Sequence, residues 1–134
     1  MGVSMIIRFL FTFPVVTDKM KANKSEGDSM KKVRITAIRK TCYPDLIAKY
    51  ENPIPHACDV QEGQAWVANG WRKPAGFCDS AWDSISSFVM TLAHGGGNFY
   101  DGWMKNPRSA MISCNDGFRP VSFYLEALDE EADA

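Results

Sequence analysis

The sequence predicts a single small α+β domain in which one main helix packs on a mostly antiparallel sheet. The chain has 134 residues, which is enough for one hydrophobic core and too few for two. Residues 81–94 follow the 3.6-residue period of an amphipathic helix. Segments with strand-like alternation lie on both sides of that helix, so the predicted order is β-α-β-α-β-β, without an internal repeat.

The predicted domain begins near Met30, and residues 1–29 are expected to be a poorly ordered extension. Residues 5–16 are apolar but are interrupted by Arg8, and residues 17–29 are almost entirely polar. No basic residue precedes Arg8, and no small-residue cleavage site follows, so the pattern of a secretory signal is incomplete. A start codon assigned too far upstream would explain such an extension. A membrane-surface anchor and an atypical signal peptide are the alternatives.

The first predicted strand covers residues 32–37. Its polar and apolar residues alternate, which places Val33, Ile35 and Ala37 on one buried face. Five basic residues lie in and around this strand. We interpret them as a solvated strand edge that discourages aggregation, rather than as an RNA-binding surface. They are Lys31, Lys32, Arg34, Arg39 and Lys40.

A short helix and a second strand are predicted next. Pro44 suits the first position of a helix, so residues 45–50 are expected to be helical. The prolines in residues 52–56 then require an extended connection, because each proline disfavours helix in the residue before it. Residues 64–68 form the second strand, between two glycine-containing turns.

The main helix is predicted from about Ala81 to His94. Asp79 or Ser80 is expected to cap it, and Ser80 with Asp83 makes a loose capping box. Residues 95–97 are three glycines, which favour a left-handed cap at the helix end. Six side chains share the face expected to be buried: Ala81, Trp82, Ile85, Phe88, Val89 and Leu92.

Two final strands are predicted over residues 110–113 and 120–128. The Asn115-Asp116-Gly117 segment between them favours positive φ and is a strong hairpin signal. Pro120 cannot donate a ladder hydrogen bond, so it should begin its strand or lie on an edge. Residues 129–134 are expected to be a solvated, frayed acidic tail.

Charge and hydropathy exclude some classes of protein. Fifteen Lys and Arg against sixteen Asp and Glu give a net charge of −1, which argues against duplex nucleic-acid binding. No apolar run reaches the length of a membrane span. We therefore expect a protein without a transmembrane segment or a nucleic-acid partner. A protein partner or a homo-oligomer stays open.

The cysteines are the strongest candidates for chemistry. Cys58, Cys78 and Cys114 lie in loops or at element ends, where residues distant in sequence can converge, rather than within the apolar stripes. Three thiolates suit a zinc or iron ion, with His56, Cys42 or an exogenous group as the fourth ligand. The short spacing of a zinc knuckle is absent from the sequence, so metal is not demanded by the pattern alone.

Two other functions stay open. Cys78 precedes the main helix, where the helix dipole favours an anionic thiolate, so it could be a nucleophile, although Asp79 partly offsets that effect. A neighbouring cysteine would resolve the intermediate, or His56 would act as a base. Alternatively, the cysteines only pack, and exposed aromatic residues dock a partner in a non-catalytic interaction module. Those aromatic residues are Trp71, Tyr100 and Trp103.

Several short motifs are similar to those of a known family. They are Cys58 with Glu62-Gly63, Gly76-Phe77-Cys78 with Ala81-Trp82, the glycine triplet, and Cys114-Asn115-Asp116-Gly117 with Arg119-Pro120-Val121. From about Val33 to Leu128 the chain resembles a family of small prokaryotic proteins of unknown activity, often near 100 residues long.

In that family the cysteines matching Cys58, Cys78 and Cys114 recur, whereas Cys42 is less characteristic. The family usually has Cys-Pro where this chain has Cys58-Asp59 and Cys114-Asn115. The resemblance implies a stand-alone cytoplasmic domain and supplies no reaction.

Overall fold

The structure, a computed structural model, describes residues 29–134, so the extension predicted over residues 1–29 lies outside the described residues except for Ser29. The elements follow in the order β1 (Lys31–Lys40), α1 (Pro44–Tyr50), β2 (Ala65–Ala68), α2 (Asp79–Ala93), β3 (Ser109–Ser113) and β4 (Val121–Glu131). The four strands form one antiparallel sheet in the order β2-β1-β4-β3. This confirms the predicted α+β class and element order.

The core lies between α2 and one face of the sheet. Pairs such as Ile35 with Leu125 and Ala37 with Phe123 are adjacent on β1 and β4, and all four side chains are buried. The buried residues of α2 follow the predicted helical period: Ala81, Ile85, Val89 and Leu92, with Ala93 at the end. Trp82 and Phe88, also predicted on this face, are partly buried against the core.

The two ends of α2 differ in how well the sequence predicts them. The helix begins at Asp79 with Cys78 as its N-cap, so the predicted caps at Asp79 and Ser80 are wrong. The Ser80 hydroxyl instead donates to Asn115 Oδ1 at 2.5 Å. The C-terminal prediction is confirmed. Gly95 has a φ of +87° and donates to the Leu92 carbonyl, while the amide of Gly96 donates to the Thr91 carbonyl.

The basic residues of β1 do not form a strand edge, because β1 lies inside the sheet. That interpretation is wrong. Three of the basic residues pair with carboxylates of β4: Arg34 with Glu126 at 2.8 Å, Lys32 with Glu130 at 3.6 Å and Lys31 with Glu131 at 4.0 Å. The segment predicted as a frayed acidic tail is therefore partly strand, since β4 continues beyond Leu128 to Glu131.

The connection between β3 and β4 closes differently from the prediction. The strands do pair as a hairpin, and Pro120 comes just before β4, as expected. However, Asn115, Asp116 and Gly117 all lack positive φ. Asp116 Oδ1 instead accepts the backbone N–H groups of Phe118 and Arg119, at 2.8 and 3.2 Å. A side chain thus replaces the left-handed backbone as the turn-forming device.

Candidate functional site

Three of the four cysteines border one cavity at the end of the sheet where β1 finishes and β4 begins. Cys58, Cys78 and Cys114 all line this cavity, which has a volume of about 210 Å³. They come from the connection between α1 and β2, the N-cap of α2 and the end of β3. We call this space the thiol cavity. Its apolar wall consists of Val60, Ala81, Val121 and Phe123.

Cys78 and Cys114 are both held by regular hydrogen bonds. The carbonyl of Cys78 accepts the N–H of Trp82 at 2.9 Å, which is the first bond of α2. Residues 79–81 therefore present N–H groups without a partner inside the helix. The N–H of Cys114 donates to the Val121 carbonyl at 2.9 Å, and its sulfur accepts the N–H of Val121 at 3.3 Å. Both thiols are half-buried.

Cys58 is held differently. Its side chain is exposed, and it lies two residues before Val60, which is 6% exposed and belongs to the core. The Lys40 ammonium donates to the Cys58 carbonyl at 3.3 Å, and the Lys40 N–H donates to Glu62 at 2.9 Å. Among the described residues, no backbone-to-backbone hydrogen bond involves positions 52–60. Of the three cavity cysteines, Cys58 therefore has the least constrained backbone.

A side-chain bond joins two of the cysteine-bearing segments. Ser80 is two residues after Cys78, and Asn115 is the residue after Cys114. The bond from Ser80 to Asn115 links the first turn of α2 to the β3–β4 turn, and both residues line the thiol cavity. It therefore holds the half-buried thiols on the same side of the domain.

Arg119 contributes a positive charge to the cavity wall. Its guanidinium pairs with both carboxylate oxygens of Glu51, at 3.0 and 2.9 Å. The hydrogen bond to Glu51 raises the pKa of Arg119, and the nearby Asp116 and Cys42 act in the same direction. Arg119 is therefore charged at neutral pH.

A second cavity, of about 270 Å³, shares two of the thiols. Cys58 and Cys78 line it together with Asp59, Val60, Gln64, Trp66 and Gly76. Cys114 is not among its lining residues. The sulfur-bearing residues Cys58 and Cys78 thus lie between a mainly apolar space and a more polar one.

The other predicted site residues are not brought into either cavity. Cys42 and His56 are exposed and line neither space, although Cys42 lies near Arg119. Within residues 29–134, no group of three or more His, Cys, Asp or Glu side chains lies close enough together to hold a metal ion. The metal site is thus not preformed, and it stays a prediction. All four cysteines are free thiols.

Sequence reasoning missed Ser80, Arg119 and Glu51 as site residues. Ser80 was expected to cap its own helix, and Asn115, to which it donates a hydrogen bond, was assigned only to a turn. Glu51 and Arg119 are distant in sequence and meet only through the fold. The one available signal was the polar residues one or two positions after Cys58, Cys78 and Cys114, which suit hydrogen bonding around a shared site.

The aromatic residues divide into two groups. Trp66 and Trp82 pack edge-on against Phe77, with ring centroids 4.9 and 6.0 Å apart, next to the cavities. The rings of Tyr100 and Trp103 pack edge-on with their centroids 5.3 Å apart, and the two residues are 76% and 43% exposed. They lie in a loop that the cysteines do not share, so a docking role for them stays a prediction.

Fold and site together define a small α+β domain with a three-cysteine cavity. Comparison of the chain with models of protein families, with curated proteins and with solved structures finds no match in any of the three. Both described helices are too short or too polar to cross a membrane. The family resemblance stays a prediction, and the thiol cavity is the feature of the molecule that bears on function.

Proposed function

We propose that the thiol cavity is a reactive cysteine site, in which Cys78 is the nucleophile of a thiol–disulfide exchange reaction. The observation that carries this proposal is the convergence of Cys58, Cys78 and Cys114 on one cavity. Exchange needs an accessible thiolate and a second thiol within reach, and it does not require three sulfurs at metal-ligand distance. The arrangement therefore supports exchange better than it supports a preformed metal centre.

Cys78 is the nucleophile because of its place at the start of α2. The N-terminus of a helix stabilises negative charge through its dipole and its unpaired N–H groups, and the reactive form of a cysteine is the anion. Asp79 alone would oppose this effect. Its carboxylate, however, forms an ion pair with the Lys73 ammonium, which also donates to the Phe77 carbonyl. The negative charge beside Cys78 is thereby partly neutralised.

The other two cavity thiols are less suited to the first attack. The sulfur of Cys114 already accepts the N–H of Val121, so it would have to give up that bond to react. Cys58 lies on a segment outside any helix or strand, without a helix terminus beside it. In the proposed step the Cys78 thiolate attacks one sulfur of a substrate disulfide. A new S–S bond forms, and the other half of the substrate leaves as a thiolate.

The test is the rate at which each cysteine reacts with iodoacetamide at neutral pH, followed by mass spectrometry of peptides. We expect Cys78 to react about tenfold faster than Cys114. A Cys42→Ser variant is the matched control, because Cys42 lies outside both cavities and its loss should leave the rate at Cys78 unchanged. Equal, slow labelling of all four thiols would remove the proposal.

Metal binding is the second candidate, favoured by the three soft ligands around one space. Zinc–sulfur bonds are about 2.3 Å long, so the sulfurs would have to come closer together, and the Cys58 segment is the one free to do so. Metal analysis of anaerobically purified protein tests this. Near-stoichiometric zinc or iron that is lost in Cys58→Ser supports a metal site. A metal-free protein with four titratable thiols contradicts it.

A further inference from the structure

We infer that Cys58 is the resolving cysteine for Cys78, that the two residues close into a reversible disulfide, and that the oxidant is a small organic disulfide. Cys114 stays reduced throughout. This inference rests on the proposed function, since it names the second thiol and the substrate class of the same site. Three observations carry it.

The first is the shared position of Cys58 and Cys78 between the two cavities. Both residues line the mainly apolar space of about 210 Å³ and the more polar space of about 270 Å³, whereas Cys114 lines only the former. A disulfide attacked by Cys78 has two halves that must both be accommodated. If one half of the substrate disulfide occupies each cavity, its S–S bond lies next to Cys58 as well as Cys78.

The second observation is the difference in backbone restraint. A disulfide requires Cα atoms roughly 4.4–6.8 Å apart and a specific dihedral angle, so it forms most readily where one partner has a backbone that can adjust. Cys78 is fixed by the first turn of α2, and Cys114 by two hydrogen bonds with Val121. Residues 52–60 make no backbone-to-backbone hydrogen bond within the described part of the chain. Cys58 is therefore the thiol that can approach at the lowest cost.

The third observation is the size of the two spaces. Sites for drug-sized ligands usually have volumes of roughly 300–1,000 Å³, and each cavity here is smaller. The site therefore favours a small disulfide over a disulfide on the surface of a folded protein.

The chemistry balances in two steps. The Cys78 thiolate attacks the disulfide RSSR, which forms Cys78–S–S–R and releases RS⁻. The Cys58 thiolate then attacks the Cys78 sulfur, which forms the Cys58–Cys78 bond and releases a second RS⁻. Overall, the two cysteine thiols lose two electrons to the substrate disulfide, and their two protons pass through solvent to the two released thiolates, which become two RSH.

The test exposes the fully reduced 134-residue chain to 2-hydroxyethyl disulfide without oxygen, with intact-mass and peptide analysis. We expect the parent protein to lose two hydrogens, to release two equivalents of mercaptoethanol and to contain a Cys58–Cys78 bond. Cys58→Ser should instead accumulate a mercaptoethanol adduct on Cys78. Cys42→Ser, which lies outside both cavities, is the matched control and should form the same Cys58–Cys78 bond as the parent.

The outcomes separate this inference from the proposed function. A Cys78–Cys114 bond, or a mercaptoethanol adduct that persists on Cys78 in the parent, would overturn the role of Cys58 and leave Cys78 as the nucleophile. If the Cys58→Ser variant forms no adduct on Cys78, and iodoacetamide labels Cys78 slowly, both the resolving role of Cys58 and the nucleophilic role of Cys78 are overturned.

The substrate class is tested with a protein that carries an exposed disulfide. Its exchange should be about tenfold slower than that of 2-hydroxyethyl disulfide, and an equal rate would overturn the size preference.

Discussion

The two ends of the central strand pair β1 and β4 are built in different ways. At one end, Lys31 and Lys32 of β1 face Glu130 and Glu131 of β4 through ion pairs whose carboxylates are largely exposed. At the other end the strands border the thiol cavity, where the half-buried sulfur of Cys114 accepts a backbone N–H and an exposed side-chain bond joins Ser80 to Asn115. Exposed ion pairs are screened by water and salt and tolerate change. A directed bond to a half-buried group is less tolerant of change, so the position of Cys114 is better defined than that of the exposed ion pairs.

The largest effect is expected from Phe123→Ala, at the wall of the thiol cavity. Phe123 is fully buried, and its ring contacts Phe77 and Trp66, with centroids 5.4 and 6.3 Å away. The substitution should lower the free energy of unfolding by about 3–5 kcal/mol, because it removes buried apolar surface and leaves a cavity. Chemical denaturation measures it. A loss below 1 kcal/mol would show that this end of the core repacks freely.

Cys114→Ala should have the next largest effect, because it removes the sulfur that accepts the N–H of Val121. We expect a loss of about 1–3 kcal/mol from the unpaired donor. Cys114→Ser is the matched comparison, since its hydroxyl can accept the same N–H. A serine variant less stable than the alanine variant would show that apolar packing, rather than the hydrogen bond, is what the cysteine supplies.

Ser80→Ala is expected to cost about 0.5–1.5 kcal/mol, since it removes the bond to Asn115. The more informative result is the iodoacetamide reactivity of Cys78, which should change because the two cysteine-bearing segments lose their link. Ser87→Ala, in the middle of the same helix, is the control for helix propensity. An unaltered rate at Cys78, with stability equal to that of the control, would show that the bond does not position the site.

The smallest effect is expected at the ion-paired end. Lys32 pairs with Glu130 and Asp133, both at 3.6 Å, and these carboxylates are 65% and 77% exposed. Lys32→Ala should therefore cost about 0–1 kcal/mol, and the difference should shrink in high salt. Thermal melts at low and high ionic strength measure it. If Lys32→Ala costs more than Cys114→Ala, the contrast between the two ends is wrong.

Periodicity alone was sufficient for the elements and much of the core. Val33, Ile35 and Ala37 alternate as a half-buried strand must, and Ile85, Val89 and Leu92 recur at helical spacing. Gly95 and Gly96 end α2 as predicted, because a left-handed cap depends on local backbone freedom. These predictions succeed since each depends on residues only a few positions apart.

Two of the predictions that failed concern residues whose preferred local role was replaced by a distant partner. Ser80 suits a helix N-cap, but its hydroxyl bonds Asn115 from another segment. The lysines of β1 suit an edge strand, but β4 pairs with that side of β1. In both cases the outcome depends on a partner far away in sequence, which a local preference of about 1 kcal/mol does not encode.

By itself, the sequence determined the α+β class, the element order, the buried stripes and the placement of cysteines at element ends. Only the tertiary structure decided the strand order, the Glu51–Arg119 pair and the exclusion of Cys42 and His56 from the cavity that Cys58, Cys78 and Cys114 line. The physical reason is the separation in sequence between the residues that interact. Helix and strand patterns arise from neighbouring residues, whereas a cavity forms where segments far apart in sequence pack together, and their register sets which side chains meet.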